Sequence, residues 1–433
     1  MQFVGPEFRY KCEPLDRYQA GGWHPTHIGD RLGVDGRYRV VNKLGHGGFG
    51  VVWLCRDTED RVTPWKAVKI ENAATTNRGA ADINDLKIQD VFDALELTPQ
   101  TALKNQIAIP YEHFWLDGPN GTHLCSVLPI LGPSIRDRSL YKDGKRDVKA
   151  ICRQVIRAMQ YLHSVEICHG DFRPANILLQ IEGLQLLEDK EIQMVFGLPQ
   201  VSLVAPKVFG QNCRPRYLVC SADMNLDKLD DFVKIKAGNL RAKDEPMVAV
   251  VDFGGASHTS YRSAWTTCIP THLLAPEYFF GYEASFATDI FALGCTLTIL
   301  QLDEYPFTRQ GENLDDVALS YLSEMEEFLG PMPMLLRKAW DKRAVTRGQK
   351  LVIDMDHGNP ATVSWKEIDA LRRNWVSHVP GARNVLHGLM LDKGMSKQEA
   401  NRFADLLKKT MAWEATDRLR LGQILNHPWF AEN

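Results

Sequence analysis

Long apolar runs are missing from this chain. The longest candidate, Ile290 to Leu300, falls short of the roughly 20 residues a membrane-spanning helix needs. It reads as a buried helix, and no membrane partner is expected. The opening Met1-Gln2-Phe3-Val4-Gly5-Pro6-Glu7 lacks the basic-then-apolar pattern of a secretory leader. The 9 cysteines are odd in number, scattered and without Cys-x-x-Cys pairs. That excludes a disulfide framework and a zinc ribbon, and points to reduced thiols inside a cell, in cytoplasm or nucleus. Cys168 and Cys268 lie near chemistry-bearing segments, but simple packing is the plainer account of both. A strong charge of either sign is absent too. The net value of −3 gives no general attraction to nucleic acid. Tandem repeats and low-complexity serine or arginine tracts are not present. What remains is ordinary for a soluble enzyme: 44% hydrophobic and 24% charged residues. The 433 residues suffice for two lobes around large cores, and a monomer is expected.

Against that plain background one stretch stands out, His169-Gly170-Asp171-Phe172-Arg173-Pro174-Ala175-Asn176, with Asp252-Phe253-Gly254 far downstream. An acid and an amide five residues apart on a Pro-containing turn suit two tasks. Asp171 can accept the proton of an incoming hydroxyl, and Asn176 can offer an oxygen to a divalent cation. Asp252, after the strand-like Met247-Val248-Ala249-Val250-Val251, supplies a second hard oxygen. Phosphoryl transfer needs these parts, because its catalysis is mostly positioning and charge neutralisation.

Further parts stand upstream, in order. Leu44-Gly45-His46-Gly47-Gly48-Phe49-Gly50-Val51-Val52 has the spacing Gly-x-Gly-x-x-Gly-x-Val. Alone it is as readily an ordinary hairpin turn. Strand-like Arg37–Val41 precedes it and Val51–Cys55 follows it, so its glycines sit where backbone amides can approach phosphates. Ala67-Val68-Lys69-Ile70 alternates in polarity as a half-buried strand does, and Lys69 could reach those phosphates. Ala275-Pro276-Glu277 closes the set.

Together these motifs resemble the protein-kinase signature, across nearly the whole chain. Gly21-Gly22-Trp23-His24-Pro25-Thr26-His27-Ile28-Gly29-Asp30 looks like the lead-in of kinases that phosphorylate serine/arginine-rich splicing factors, the fungal relatives above all. His123-Leu124-Cys125-Ser126-Val127-Leu128-Pro129-Ile130-Leu131-Gly132 is similar to that family's hinge. The insert between Leu179 and Val248, with Arg216-Tyr217-Leu218-Val219-Cys220, fits the same group. The resemblance implies an α+β bilobal fold: an extension over residues 1–36, a β-rich small lobe over 37–131, and a helical large lobe over 132–433 with the insert at about 181–247. It implies ATP and Mg2+ as cofactors, and serine in basic segments as substrate. The ATP site would take Leu44, Gly45, His46, Gly47, Gly48, Phe49, Gly50, Val52, Ala67, Lys69, Pro129, Leu131 and Leu178. Asn176 and Asp252 would hold the metal. Asp171, Arg173, Lys69 and Asp85 would carry catalysis.

Several positions depart from the pattern. Gly170 replaces the Arg that usually meets a phosphate on the activation segment, so activity without such phosphorylation is expected. Arg173 stands where Lys usually contacts the transferred group, and a planar fork is not a point charge. Asp85 falls at the place of the Glu that pairs with Lys69, one methylene short, with Glu71 and Glu96 as alternatives. Gln89 falls where an apolar residue is usually buried. These departures leave two other readings open, an ATP-binding pseudokinase scaffold and a small-molecule kinase. Ala275-Pro276-Glu277 argues against the latter, because Glu277 is expected to pair with Arg418 ahead of Leu425-Asn426-His427-Pro428-Trp429-Phe430. Between Asp303 and Glu327 acids dominate. They form either a solvated face or an acidic groove for a basic substrate, with Arg337, Lys338, Lys342, Arg343, Arg347 and Lys350 soon after.

Overall fold

The computed structural model describes residues 1–3, 11–76, 83–137, 147–204, 213–237, 247–261, 269–280, 285–307, 314–338 and 385–431. A short strand, β1, occupies Gln2–Phe3. The alternating polarity between residues 31 and 128 then folds into one antiparallel sheet. Its strands are β2 (Arg31–Leu32), β3 (Tyr38–His46), β4 (Gly50–Asp57), β5 (Trp65–Glu71), β6 (Glu112–Gly118) and β7 (Gly121–Leu128), in the order β2-β3-β4-β5-β7-β6. Its register sets Val52 opposite Lys69 and Lys69 opposite Ser126. β5 is buried along its length except at Lys69, which is half-buried.

The chain packs as two compact units. One comprises 1–134 with 178–254, the other 135–177 with 255–433. In the first, the insert lies on the sheet and not with the helical part, to which the resemblance assigns it. The reason is two shared cores. Ile192, Val195, Phe196 and Leu229 of the insert pack with Leu54, Trp65 and Ala67. Val201, Leu218, Val219 and Cys220 pack with Val40, Trp53, Cys12 and Tyr18. The insert holds helices Asp189–Phe196 and Leu226–Ala237, and strands β10 (Gln200–Leu203) and β11 (Tyr217–Val219). β10 pairs in parallel with β1 and antiparallel with β11. Strands β8 (Ile167–Cys168) and β9 (Ile177–Leu179) precede it, and β12 (Val248–Val250) and β13 (Ser257–His258) follow.

The second unit is helical. Helix Val148–Ser164 starts at Asp147, whose carboxylate accepts from Lys149 N at 2.8 Å, an N-cap that satisfies one orphan donor. Its 3.6-residue stripe of Ile151, Cys152, Val155, Ile156, Met159 and Leu162 is buried, as the spacing predicts. Helix Phe286–Leu302 is buried all round, which explains why residues 290–300 are apolar on every face. Helix Lys397–Thr410 is capped by Ser396, which accepts from Glu399 N at 3.2 Å, one arm of the capping box expected from sequence. Phe403, Leu406, Leu407 and Met411 are buried as its spacing predicts.

Candidate active site

In the second unit the catalytic turn is built almost entirely from its own neighbours. Pro174 opens the 3-10 turn Pro174–Asn176, where its fixed φ and missing N–H cost nothing. The turn brings Asn176 back onto Asp171. Asn176 Nδ2 donates to the Asp171 carbonyl at 2.9 Å and to its Oδ2 at 2.8 Å. Arg173 Nε donates to the same carboxylate at 3.1 Å. A buried carboxylate held by an amide and a guanidinium stays oriented, as a proton acceptor must be.

Behind this turn stands a residue that the motifs did not single out. Asp289 is fully buried in the first turn of helix Phe286–Leu302. It accepts from His169 N at 2.7 Å, Gly170 N at 3.1 Å and His163 Nε2 at 3.0 Å. Burial alone would raise its pKa. The bonds from His163 and the backbone amides outweigh that and hold it below the usual range. The available signal was an acid at the start of a wholly apolar helix, since buried charges occur when they are paired. Gly170 has φ +70°. The place of the usual Arg is thus a left-handed position that a side chain strains, so glycine here has a backbone reason as well.

The same unit joins Glu277 to Arg418 by two parallel bonds, 2.7 and 2.6 Å, as the sequence predicts. Arg418 also donates to the carbonyls of Ala412 at 2.9 Å and Ala287 at 2.7 Å, so its buried fork is satisfied. Pro174 and Arg173 line a cavity of about 120 Å³ with Arg136, His272 and Tyr305. The His272 and Tyr305 rings meet edge to face at 4.3 Å, and the Arg136 guanidinium lies 5.6 Å from the Tyr305 centroid. Of the acidic run, Glu326 is buried against Arg337 and so is structural, while Glu304 is exposed and stands 3.8 Å from Lys393. Glu312 and residues 342–350 lie outside the described residues, as does Cys268.

In the first unit, the glycine-rich hairpin closes with Gly47 N donating to Gly50 O at 2.9 Å. A Cβ at Gly45, Gly47 or Gly48 would meet nothing within 4 Å, whereas one at Gly50 would stand 2.3 Å from the Ile70 carbonyl. Gly50 therefore serves the sheet. The other three leave open space that the protein's own packing does not require, which fits a phosphate cradle. His46 and Phe49 are exposed on this loop. Val52 and Leu44 are half-buried against the core that contains Ala67. Pro129 is buried, and Leu131 and Leu178 are half-buried near one another. Gly132 N donates to Leu179 O at 2.8 Å, and Ser134 bridges to Leu178.

Lys69 is where expectation and structure part. Its ammonium contacts Asp252 at 2.8 Å and Glu71 at 3.2 Å. Asp85, the partner expected from sequence, makes no ion pair with it among the described contacts. A Cβ on Gly254 would stand 3.1 Å from Asp85 Oδ2, and Asn84 donates to the Gly254 carbonyl at 3.1 Å. The shorter acid is thus drawn to the Asp252 turn, while Glu71, two residues along the same strand face, reaches the ammonium. Burial lowers the pKa of Lys69, but Asp252, Glu71 and Asp85 outweigh it and hold the charge on. Asp85 is pushed up to about 7, by burial first and then by the carboxylates of Glu71 and Asp252 against the pull of Lys69. Asp252 itself has φ +68°, a conformation that costs a non-glycine residue.

The helix register also differs. Helix Asn84–Ala94 buries Ile88 and Phe92. Phe92 meets Phe253 edge to face at 5.3 Å. Gln89 is half-buried: its amide nitrogen donates to Asp93 at 2.8 Å, while its amide oxygen is buried without a hydrogen-bond partner, so the buried amide expected here is only half satisfied.

The two oxygen donors expected from sequence lie one in each unit, and each by itself suits a hard divalent cation. Asn176 spends its amide nitrogen on Asp171, leaving the oxygen, and Asp252 is a carboxylate. No group of three or more His, Cys, Asp or Glu among the described residues could hold a metal by itself.

Comparison with known proteins agrees. The family described as the protein kinase domain matches residues 38–192 and 232–430. The chain is similar to serine/threonine-protein kinase AFC1 of Arabidopsis thaliana, 26% identical over all of this chain and 82% of that one. It is similar to serine/threonine-protein kinase SRPK of Physarum polycephalum, 25% identical over 99% of this chain and 93% of that one. SRSF protein kinase 3 of Homo sapiens is 36% identical over 41% of this chain and 30% of its own. A crystal structure of a kinase domain superposes with TM-score 0.58 over 94% of this chain and 98% of that one. At 20% identity it speaks for the fold alone.

Proposed function

Since the chain belongs to the protein kinase domain family, and is a serine/threonine protein kinase like its relatives, we propose that it works through Asp171 on serine-bearing protein segments rich in arginine. The observation that carries the catalytic assignment is the carboxylate of Asp171, fixed by Asn176 at 2.8 Å and Arg173 at 3.1 Å. Protein kinases use ATP and Mg2+ in general. When bound, the metal neutralises phosphate charge. Asn176 and Asp252 would hold it. Lys69, kept cationic by Asp252 and Glu71, would pair with phosphate oxygens above the open glycines. Asp171 would take the proton of the acceptor hydroxyl, and Arg173 beside it would face the charge on the transferred group. Support for arginine-rich substrates comes from the name of SRSF protein kinase 3 and from the lead-in at residues 21–30. Retained acids and a satisfied Glu277–Arg418 brace weigh against a scaffold without catalysis.

One observation favours a second reading of the substrate. The cavity beside the catalytic turn is lined by Arg136, Arg173 and His272. The two guanidiniums there suit an acidic or phosphorylated neighbour of the acceptor better than an arginine. Radiolabel transfer from ATP-Mg to matched peptides decides between them. Arginine/serine repeats should exceed peptides with aspartate or phosphoserine beside the acceptor if the first reading holds, and the order should invert under the second. No transfer to any peptide or generic basic protein would remove the catalytic reading itself. In this proposal the enzyme works in cytoplasm or nucleus, and the support is the odd, scattered set of cysteines in the sequence.

A further inference from the structure

Residues before 38 and residues 193–231 both lie outside the kinase-family match, and they meet. β1 pairs with β10, Ser221 N donates to Lys11 O at 3.2 Å, and Lys11 reaches Asp223 at 3.0 Å. His27 Nε2 accepts from Arg216 N at 3.0 Å, and Ile28 N donates to the Tyr217 hydroxyl at 3.1 Å. At the centre is Lys43 of β3, the strand that leads into the glycine-rich loop. Its fully buried ammonium pairs with Glu13 of the extension and donates to the Val219 carbonyl of the insert at 3.0 Å. Its own carbonyl accepts from Ala222 N at 2.8 Å. Against this cluster the thiols of Cys12 and Cys220, 208 residues apart in sequence, stand 3.5 Å from one another.

We propose that Cys12 and Cys220 are a redox staple: a peroxide converts them to a disulfide that locks the extension to the insert around Lys43. The step balances. One thiolate sulfur attacks a peroxide oxygen and becomes a sulfenic acid, releasing water. The second thiol attacks that sulfur, releasing a second water as the S–S bond forms. Two sulfurs are oxidised and one peroxide is reduced to two waters. Both thiols are nearly buried, so a molecule as small as hydrogen peroxide is the fitting oxidant. The Lys43 ammonium is close enough to interact electrostatically with both sulfurs.

The closed loop would span the 208 residues between the pair, a long closure that removes many conformations from the unfolded chain. The experiment treats the whole purified chain with hydrogen peroxide, digests it with trypsin without reductant, and reads masses. Peptides 12–17 and 217–228 should appear joined, lighter by two hydrogens than their sum, and separate on reduction. Melting temperature should rise by roughly 5 °C or more on oxidation and return on reduction. Cys12→Ser and Cys220→Ser should each lose both the joined peptide and the rise. The proposal is overturned if either cysteine is recovered unlinked while other thiols oxidise, if it is joined to a different cysteine, or if the joined peptide forms with no change in melting temperature. The peptide readout on the unsubstituted chain stands even where a variant folds poorly.

Discussion

The catalytic turn and the Lys69 cluster carry the same kind of chemistry and are built in opposite ways. Asp171, Arg173 and Asn176 contact one another within five residues, on a turn that proline presets. Lys69, Glu71, Asp85 and Asp252 come from a strand, a helix and a distant turn. In the first region the motif is the geometry. In the second the motif names the ammonium but leaves its partners to packing, and one methylene decides between Glu71 and Asp85. The turn should therefore be intolerant of change at single residues, and the cluster should share its losses among several.

The largest effect expected from this contrast is at Asp171. Asp171→Asn keeps the shape of the turn and removes the base. Turnover should fall by about 10²–10⁴-fold, the usual worth of general-base catalysis. ATP binding, measured by calorimetry, should stay near that of the unsubstituted chain. Wild-type turnover in this variant would break the assignment of the turn.

Next in size is the brace. Arg418→Ala leaves Glu277 without the partner that holds it at 2.6 and 2.7 Å. Breaking a buried pair from one side costs about 3–5 kcal/mol. Denaturant unfolding should show that loss. A change below about 1 kcal/mol, the scale of exposed pairs, would mean that the pair acts as a surface one.

The cluster itself is tested by substitution at both acids. Glu71→Gln should lower kcat/KM by roughly 10- to 100-fold, the scale of a charge-assisted bond worth about 1.5–3 kcal/mol. Asp85→Asn should cost less. Glu71→Gln and Lys69→Ala should not add, because residues acting as one unit are non-additive. If Asp85→Asn is the costlier change, Asp85 is the working partner after all and the pairing rearranges when nucleotide binds.

How much was legible follows the same division. The Arg418–Glu277 brace, the apolar stripe of helix Val148–Ser164 and the catalytic turn follow from local spacing or a fixed motif. Ile88 and Phe92, four residues apart, form a readable helix face, whereas the kinase pattern points one residue on, to Gln89. Asp289 gave a weak signal, an acid heading an apolar helix. Gly170 looked like a missing Arg, and its positive φ could not be seen without the backbone. Lys43 with Glu13, Val219 and Cys12 beside Cys220 gave none, because segments about 200 residues apart meet only through tertiary packing.

The effect that sharpens the comparison most is in pH. A carboxyl raised to about 7 in the folded chain, against an ordinary value near 3.9 unfolded, binds more protons folded than unfolded in the interval between. Stability rises with pH only where the unfolded state binds more protons. Asp85 therefore makes the folded chain less stable as pH climbs from about 4 to about 7, and adds no further slope above. Asp85→Asn removes this term. Melting temperatures of variant and parent, taken across that interval, should diverge in favour of the variant as pH rises, and run parallel beyond it. Carboxylates elsewhere titrate in both proteins and cancel in the difference. A difference that stays flat from pH 4 to 8 would mean that Asp85 ionises normally. Asp85 would then share the Lys69 charge as a full partner, and the contrast between Glu71 and Asp85 would close.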